Sequence, residues 1–270
     1  MSEAQAATYT HGYHPAVLRS RSNRTVANSA AYLLEYVKPG IDLLDVGSGA
    51  GTITADFARR VAPGRVTALE ADEAAIDLTR AEIARHGLDT VDLIIGDVHA
   101  LKLPEGRFDI VHAHQVLQHV RDPVQALREM RRVCKPGGVV AARDADYAGF
   151  VWYPRLPELD QWMCWYQHAA RANGGEPDAG RRLLSWARQA GFADITSSSS
   201  TWCLATPEAR HWWGGMWAER ILTSKIAEQL RAQGIATQAD LERISHAWLE
   251  WAAAPDGWMS IVHGEIICRV

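Results

Sequence analysis

The stretch Leu43-Leu44-Asp45-Val46-Gly47-Ser48-Gly49-Ala50-Gly51-Thr52 decides the fold. A short apolar run ending in glycine reads as a buried parallel strand. Glycines at alternate positions permit positive φ and let a ligand approach with no β-carbon in the way. Residues 52–62 then show helical spacing, with Ile53, Phe57 and Val61 on one face. Such a helix turns its first amides and partial positive charge toward whatever sits over the loop. A glycine loop alone is weak evidence, but one placed between strand and helix reads as a ligand site.

Outward from this point the chain keeps alternating. Val66–Leu69, Val91–Ile95, Phe108–Ala113 and Val139–Arg143 read as four more strands. Residues 73–86, stopped by Gly87, and 122–133, opened by Asp122-Pro123, read as the helices between them. Pro136-Gly137-Gly138 reads as a turn. Alternation with short connections predicts a Rossmann-like α/β fold, a mostly parallel sheet with helices on both faces. Ligands of such sheets bind beyond the carboxyl ends of the strands.

The second half has a different composition. All eleven tryptophans lie between Trp152 and Trp258. Residues 155–173 and 180–189 read as helices, 195–205 as a sixth strand, and 207–222, 223–233 and 238–253 as three further helices. The end, residues 261–270, reads as a seventh strand returning to the sheet. The expected division is an N-terminal helical lid (1–39), a core (40–146), a cap segment (147–179), a core helix and strand (180–206), a helical insertion (207–257) and the final strand (258–270). Trp162/Trp165 and Trp248/Trp251 are spaced i, i+3 and share helix faces, and Trp212, Trp213 and Trp217 fall within one or two helical turns. Helix-to-helix packing or an aromatic wall for a flat substrate would each use that spacing.

The 270 residues carry a net charge of −4, with 28 basic and 32 acidic side chains, which argues against a dedicated nucleic-acid binder. Lysine occurs only at Lys38, Lys102, Lys135 and Lys225. Cys134, Cys164, Cys203 and Cys268 form no C-x-x-C pair, so neither a zinc site nor another metal centre is expected. The start lacks the apolar core of a signal peptide, and no run of about 18 apolar residues exists. A cytoplasmic protein with reduced thiols is the expectation. Exposed tryptophans would make it prone to homo-oligomerise.

Site candidates follow the strand ends. Glu70, after the second strand, is placed to accept hydrogen bonds from both hydroxyls of a ribose. Gly96-Asp97-Val98, after the third, offers a carboxylate and an apolar neighbour for a purine. His112, His114 and His119 cluster at the fourth, and a histidine near neutral pKa can deprotonate a nucleophile. His112 alternates with the pleat and reads as packed in the sheet.

These residues carry a resemblance. D-x-G-x-G-x-G at Asp45–Gly51, Glu70, Gly96-Asp97, Phe108-Asp109-Ile110-Val111, Val116-Leu117-Gln118-His119-Val120 and Arg132–Gly138 resemble class I S-adenosylmethionine-dependent methyltransferases. Within that class they resemble the small-molecule branch related to ubiquinone and menaquinone C-methyltransferases, over about residues 24–145. The resemblance implies S-adenosylmethionine as cofactor. It places Gly47, Ser48, Gly49, Gly51 and Thr52 under its methionine part, Glu70 and Ala71 at the ribose, and Gly96, Asp97 and Val98 at the adenine. His114 and Gln115 would line the junction of cofactor and substrate, His114 or His119 would act catalytically, and Tyr13 would be a lid residue. The family's last strand is antiparallel, which suits residues 261–270. The insertion at 207–257 departs from the hairpin of many relatives and leaves the acceptor open; a small, partly apolar metabolite is expected, with no nucleic acid and no membrane span. The competing readings are a non-catalytic cofactor- or partner-binding module and a methyltransferase acting on a macromolecule. A nicotinamide oxidoreductase is disfavoured, because Thr52 stands where its G-x-G-x-x-G loop needs glycine.

Overall fold

The computed structural model describes residues 23–270. The strands are β1 (Leu43–Val46), β2 (Val66–Glu70), β3 (Val91–Ile95), β4 (Phe108–His114), β5 (Cys134–Ala145), β6 (Val151–Tyr153), β7 (Asp194–Leu204) and β8 (Trp258–Arg269). The α-helices are α1 (Val26–Ser29), α2 (Thr52–Val61), α3 (Glu73–Arg85), α4 (Pro123–Val133), α5 (Pro157–Ala172), α6 (Leu183–Gln189), α7 (Pro207–Thr223), α8 (Lys225–Ala232) and α9 (Gln238–Ala253). One mixed sheet runs β3-β2-β1-β4-β5-β8, with β1 to β5 parallel and β8 antiparallel to both β5 and β7.

The sheet has eight strands, not the expected seven. β8 is long enough to overrun β5, and after a short 3-10 turn at Tyr147–Gly149 the chain rejoins its edge as β6. Three residues are too few to show a period, so this strand leaves no trace in the pattern. The Pro136-Gly137-Gly138 turn also differs from expectation. It lies inside β5, where the register shifts between Phe108↔Cys134 and Ile110↔Val139. Gly264 within β8 has a packing reason: a β-carbon there would collide with the Gly180 carbonyl.

Three apolar clusters hold the layers together. Val26, Ala30, Leu33, Phe57, Val61 and Ile110 fill the sheet face under α1 and α2. Residues 26–33 therefore pack on the sheet rather than on the tryptophan-rich helices. Val111, Ala113, Leu127, Met130, Leu183 and Ala187 fill the opposite face under α4 and α6. The third cluster joins α5, α7, α8 and α9 to Tyr147, Phe150 and Trp152. Trp162, Trp217, Trp248 and Trp251 are fully buried there. Trp162 meets Trp217 and Trp248 edge-on, with centroids 4.6 and 4.8 Å apart. That geometry aims ring edges at π faces, the favoured arrangement for aromatic pairs. Arg210 ties α7 to this end of the sheet through the carbonyls of Ala205, Ala252 and Gly257.

No helix among the described residues is long and apolar enough to cross a membrane.

Candidate functional site

The parallel strands deliver their carboxyl ends to one edge of the sheet. Leaving β1, the chain takes positive φ at Gly47 (71°), Gly49 (60°) and Gly51 (78°). A β-carbon on Gly47 would strike Val116 Cγ2, and one on Gly51 would lie 2.9 Å from Thr79 Cα. Both the backbone conformation and the space therefore demand glycine. Gly51 is the left-handed N-cap of α2, and no side chain caps that helix among the described residues. The first turn of such a helix carries amide donors and a partial positive charge.

Neighbouring strand ends brace the loop. Gly47 and Ser48 donate backbone N–H to the Leu69 carbonyl. Glu70, at the end of β2, accepts the Gly49 N–H at 2.5 Å on one carboxylate oxygen and the Ala71 N–H at 3.3 Å on the other. Gly96 N–H reaches the Glu70 carbonyl. Asp97 is exposed, and its Oδ1 takes the His99 N–H and ring Nδ1. Burial pushes this carboxyl up, but the His99 contacts outweigh it and leave the group below the ordinary carboxylate value. Val98 is buried beside it. The Ser48 hydroxyl points elsewhere, pairing with Thr79 Oγ1 at 2.8 Å. Tyr13 lies outside the described residues.

Under the loop, Asp45 accepts from Thr54 Oγ1 at 2.6 Å and lies 2.8 Å from His112 Nδ1. An ionised carboxylate can only accept, so His112 carries its proton on Nδ1. His112 is fully buried and edge-on to Phe57, as packed sheet residues are.

The end of β4 gathers a second group. Gln115 has φ 54°, the sole positive φ outside glycine among the described residues. A left-handed non-glycine residue costs about 1–2 kcal/mol, so the surrounding bonds hold it. Its N–H meets the Arg143 carbonyl at 2.7 Å, and Arg24 donates to its side-chain Oε1 at 2.6 Å. The amide NH2 then faces His263 Nε2, 2.9 Å away. His263 accepts there and donates from Nδ1 to the Ile261 carbonyl at 3.1 Å, which fixes its tautomer. Trp202 sits at the centre: the Arg143 and Arg24 guanidiniums lie 5.1 and 5.7 Å from its ring, His263 4.5 Å and His114 6.0 Å. Its indole N–H donates to the Asn28 carbonyl at 2.7 Å.

His114 differs from these neighbours. It is buried, and neither ring nitrogen has a hydrogen-bond partner among the described residues. Burial, then the charges of Arg24 and Arg143, holds its pKa well below the usual histidine value. The ring is therefore neutral at pH 7, with one nitrogen carrying a lone pair. Gln118 and His119 are used by the fold: the Gln118 side-chain oxygen accepts the Ala145 N–H, and its amide nitrogen lies 3.0 Å from His119 Nε2.

On the far side of β5, Asp144 accepts the Gln118 N–H at 3.0 Å, while its other oxygen has no hydrogen-bond partner among the described residues. Burial raises its pKa to about 7 against the pull of the Gln118, Leu117 and Val116 amides. Arg143, Asp144, Trp202 and His263 were not singled out from the sequence. The available clue was two charged residues ending an otherwise apolar strand, Arg143-Asp144.

No group of three or more potential metal ligands occurs among the described residues. The glycine cradle at a helix start and a carboxylate at the end of β2 fit the donor set a nucleoside with a zwitterionic tail requires. The methyltransferase domain family matches residues 44–142. The chain is 35% identical, over 97% of its length and 96% of the relative's, to the uncharacterized methyltransferase C1B3.06c of Schizosaccharomyces pombe. It is 30% identical, over 98% of both chains, to the probable methyltransferase ltbC of Aspergillus luteorubrus. Its fold is similar to that of Haemonchus contortus phosphoethanolamine N-methyltransferase 2 in complex with S-adenosyl-L-methionine, with TM-score 0.57 and 17% identity over 90% of this chain and 52% of that one. An alternating strand–helix core that opens on a glycine loop, shared nearly end to end with named methyltransferases, makes this chain a member of the S-adenosylmethionine-dependent methyltransferases.

Proposed function

We propose that the enzyme methylates a small, partly apolar metabolite, with His114 accepting the acceptor's proton. The observation that carries this reading is His114 itself: a neutral, buried imidazole with two unpartnered nitrogens at the end of β4. The cofactor, when bound, supplies a methyl group on a sulfonium whose departure leaves a neutral thioether. The protein therefore has no developing anion to stabilise at the leaving group, and its contribution is alignment and exclusion of water. Positioning of this kind is worth about 7–11 kcal/mol.

In this reading Gly47, Gly49, Gly51 and Thr52 cradle the amino-acid part, Glu70 and Ala71 hold the ribose, and Gly96, Asp97 and Val98 hold the adenine. Ser48 locks the loop to α3 through Thr79. Gln115, fixed by Arg24 and His263, sets the direction in which the chain leaves β4. His114 takes the proton on a ring nitrogen, while His119, engaged by Gln118, positions the following loop. The buried tryptophan helices, residues 147–179 and 207–257, form a cap that closes the acceptor end on a core of 40–146, 180–206 and 258–270.

His114→Ala tests the proposal. A general base contributes about 10²–10⁴-fold, so kcat should fall by that factor while S-adenosylhomocysteine affinity stays unchanged. Undiminished kcat with an acceptor that loses a proton would refute the role. Because the native ring is neutral, the kcat profile should show no acidic limb near pH 6.5; histidine protonation would enter only at lower pH.

A further inference from the structure

The face of the sheet beside His114 holds more unsatisfied polarity than one base explains. Register places His114 directly opposite Arg143, and Arg143 opposite Glu265. Arg143 is 1% exposed and spends its Nε on Glu265 Oε1 at 3.1 Å. Glu265 is satisfied further by Ser198 and Ser200 of β7, at 2.8 and 2.5 Å. Among the described residues Arg143 Nη1 nevertheless has no hydrogen-bond partner, nor does the hydroxyl of Tyr32, which packs with the apolar cluster on the same face. His114, Arg143 and Tyr32 interact electrostatically through this interior: Arg143 acts on both of the other groups. Buried donors without acceptors are rare and costly, and these three come from separate elements onto one face of the sheet.

We propose that Arg143 Nη1 and the Tyr32 hydroxyl, beside His114, form a subsite for a carboxylate on the methyl acceptor. The proposal rests on the methyltransferase reading of this end of the sheet and names the acceptor as a compact acid. A guanidinium N–H and a phenol O–H are strong donors to a carboxylate oxygen. The charge balance selects a monoanion. Glu265 already neutralises much of Arg143, so a phosphate dianion would meet a buried carboxylate with one guanidinium shared between them. Register sets His114 and Arg143 on adjacent strands with their side chains on one face, so a reacting atom at His114 and a carboxylate at Arg143 are near neighbours. The acceptor is then a small acid whose nucleophile sits a few bonds from its carboxylate.

Calorimetry on the full chain saturated with S-adenosylhomocysteine reads this directly. The probes are two acid–amide pairs, 3-hydroxybenzoate with 3-hydroxybenzamide and 3-hydroxybutyrate with 3-hydroxybutyramide, plus 3-hydroxyphenyl phosphate. At least one acid should bind about ten- to a hundredfold tighter than its amide and tighter than the phosphate. Arg143→Gln alone strands Glu265 and risks misfolding, so the variants are the double Arg143→Gln/Glu265→Gln and the single Tyr32→Phe. The acid preference should vanish in the first and fall several-fold in the second, with S-adenosylhomocysteine affinity unchanged in both. Acids that bind no better than amides, a preference that survives the double variant, or tighter binding of the phosphate would each overturn the subsite. Failure of the native protein to bind S-adenosylhomocysteine would instead overturn the cofactor-site reading, and the subsite with it.

Discussion

The two ends of this sheet edge are built by different means. At β1 and β2, the site is made of backbone: three left-handed glycines, the first amides of α2, and one carboxylate that accepts backbone N–H groups. At β4, β5 and β8, it is made of side chains from distant positions: His114, Gln115, Arg143, Trp202 and His263. A backbone cradle suits a ligand that never changes, because any side chain there would obstruct it. A side-chain chamber can be retailored residue by residue, which suits an acceptor particular to one enzyme. On the proposed function, cofactor recognition belongs to the first end and acceptor specificity to the second.

The tryptophan helices belong to the second end, and Trp162→Ala is the largest perturbation we expect. A fully buried tryptophan truncated to alanine costs about 3–5 kcal/mol, and Trp162 touches Trp217, Trp248, Tyr147 and Tyr166. Thermal or denaturant unfolding should register that loss. If the two ends are separable, S-adenosylhomocysteine affinity at permissive temperature changes only a few-fold. A parallel collapse of affinity would show that the cap supports the cradle as well.

The pattern of what could be read beforehand follows the same division. The cradle was legible because its residues are consecutive, from Leu43 to Thr52, and its strands and helices repeat at fixed periods. The second end was not legible because its contacts cross the chain: Gln115 and His263 are 148 positions apart, and Arg143 and Glu265 are 122 apart. Trp202 reads as one more tryptophan until β7 is laid beside β8. β6 was invisible for a different reason: it exists because β8 overruns β5, a consequence of register rather than of its own three residues.

Asp144 offers a smaller test at the second end. Its folded-state pKa of about 7 stands above the unfolded carboxyl value near 4. A raised acid contributes stability that is fully present below the unfolded value and is lost as pH rises through the folded one. Stability should therefore decline between about pH 4 and 7 by up to about 1.4 kcal/mol per unit from this group. Asp144→Asn should remove that slope in denaturant titrations; an identical slope in the variant would contradict the assignment. Ser48→Ala is the smallest effect. Its hydroxyl serves Thr79, so stability should drop by about 0.5–1.5 kcal/mol with cofactor affinity unaltered. A clear loss of affinity would place the Ser48 side chain on the ligand and weaken the picture of a backbone cradle.

The division of labour itself is tested most directly by calorimetric titration of S-adenosylhomocysteine into the native protein, Glu70→Ala and His114→Ala. Glu70→Ala should bind about ten- to a hundredfold more weakly, the loss of a charge-assisted pair of hydrogen bonds, and His114→Ala should bind as the native protein does. Equal affinity in native and Glu70→Ala, or a large loss in His114→Ala, would contradict the separation of donor and acceptor ends.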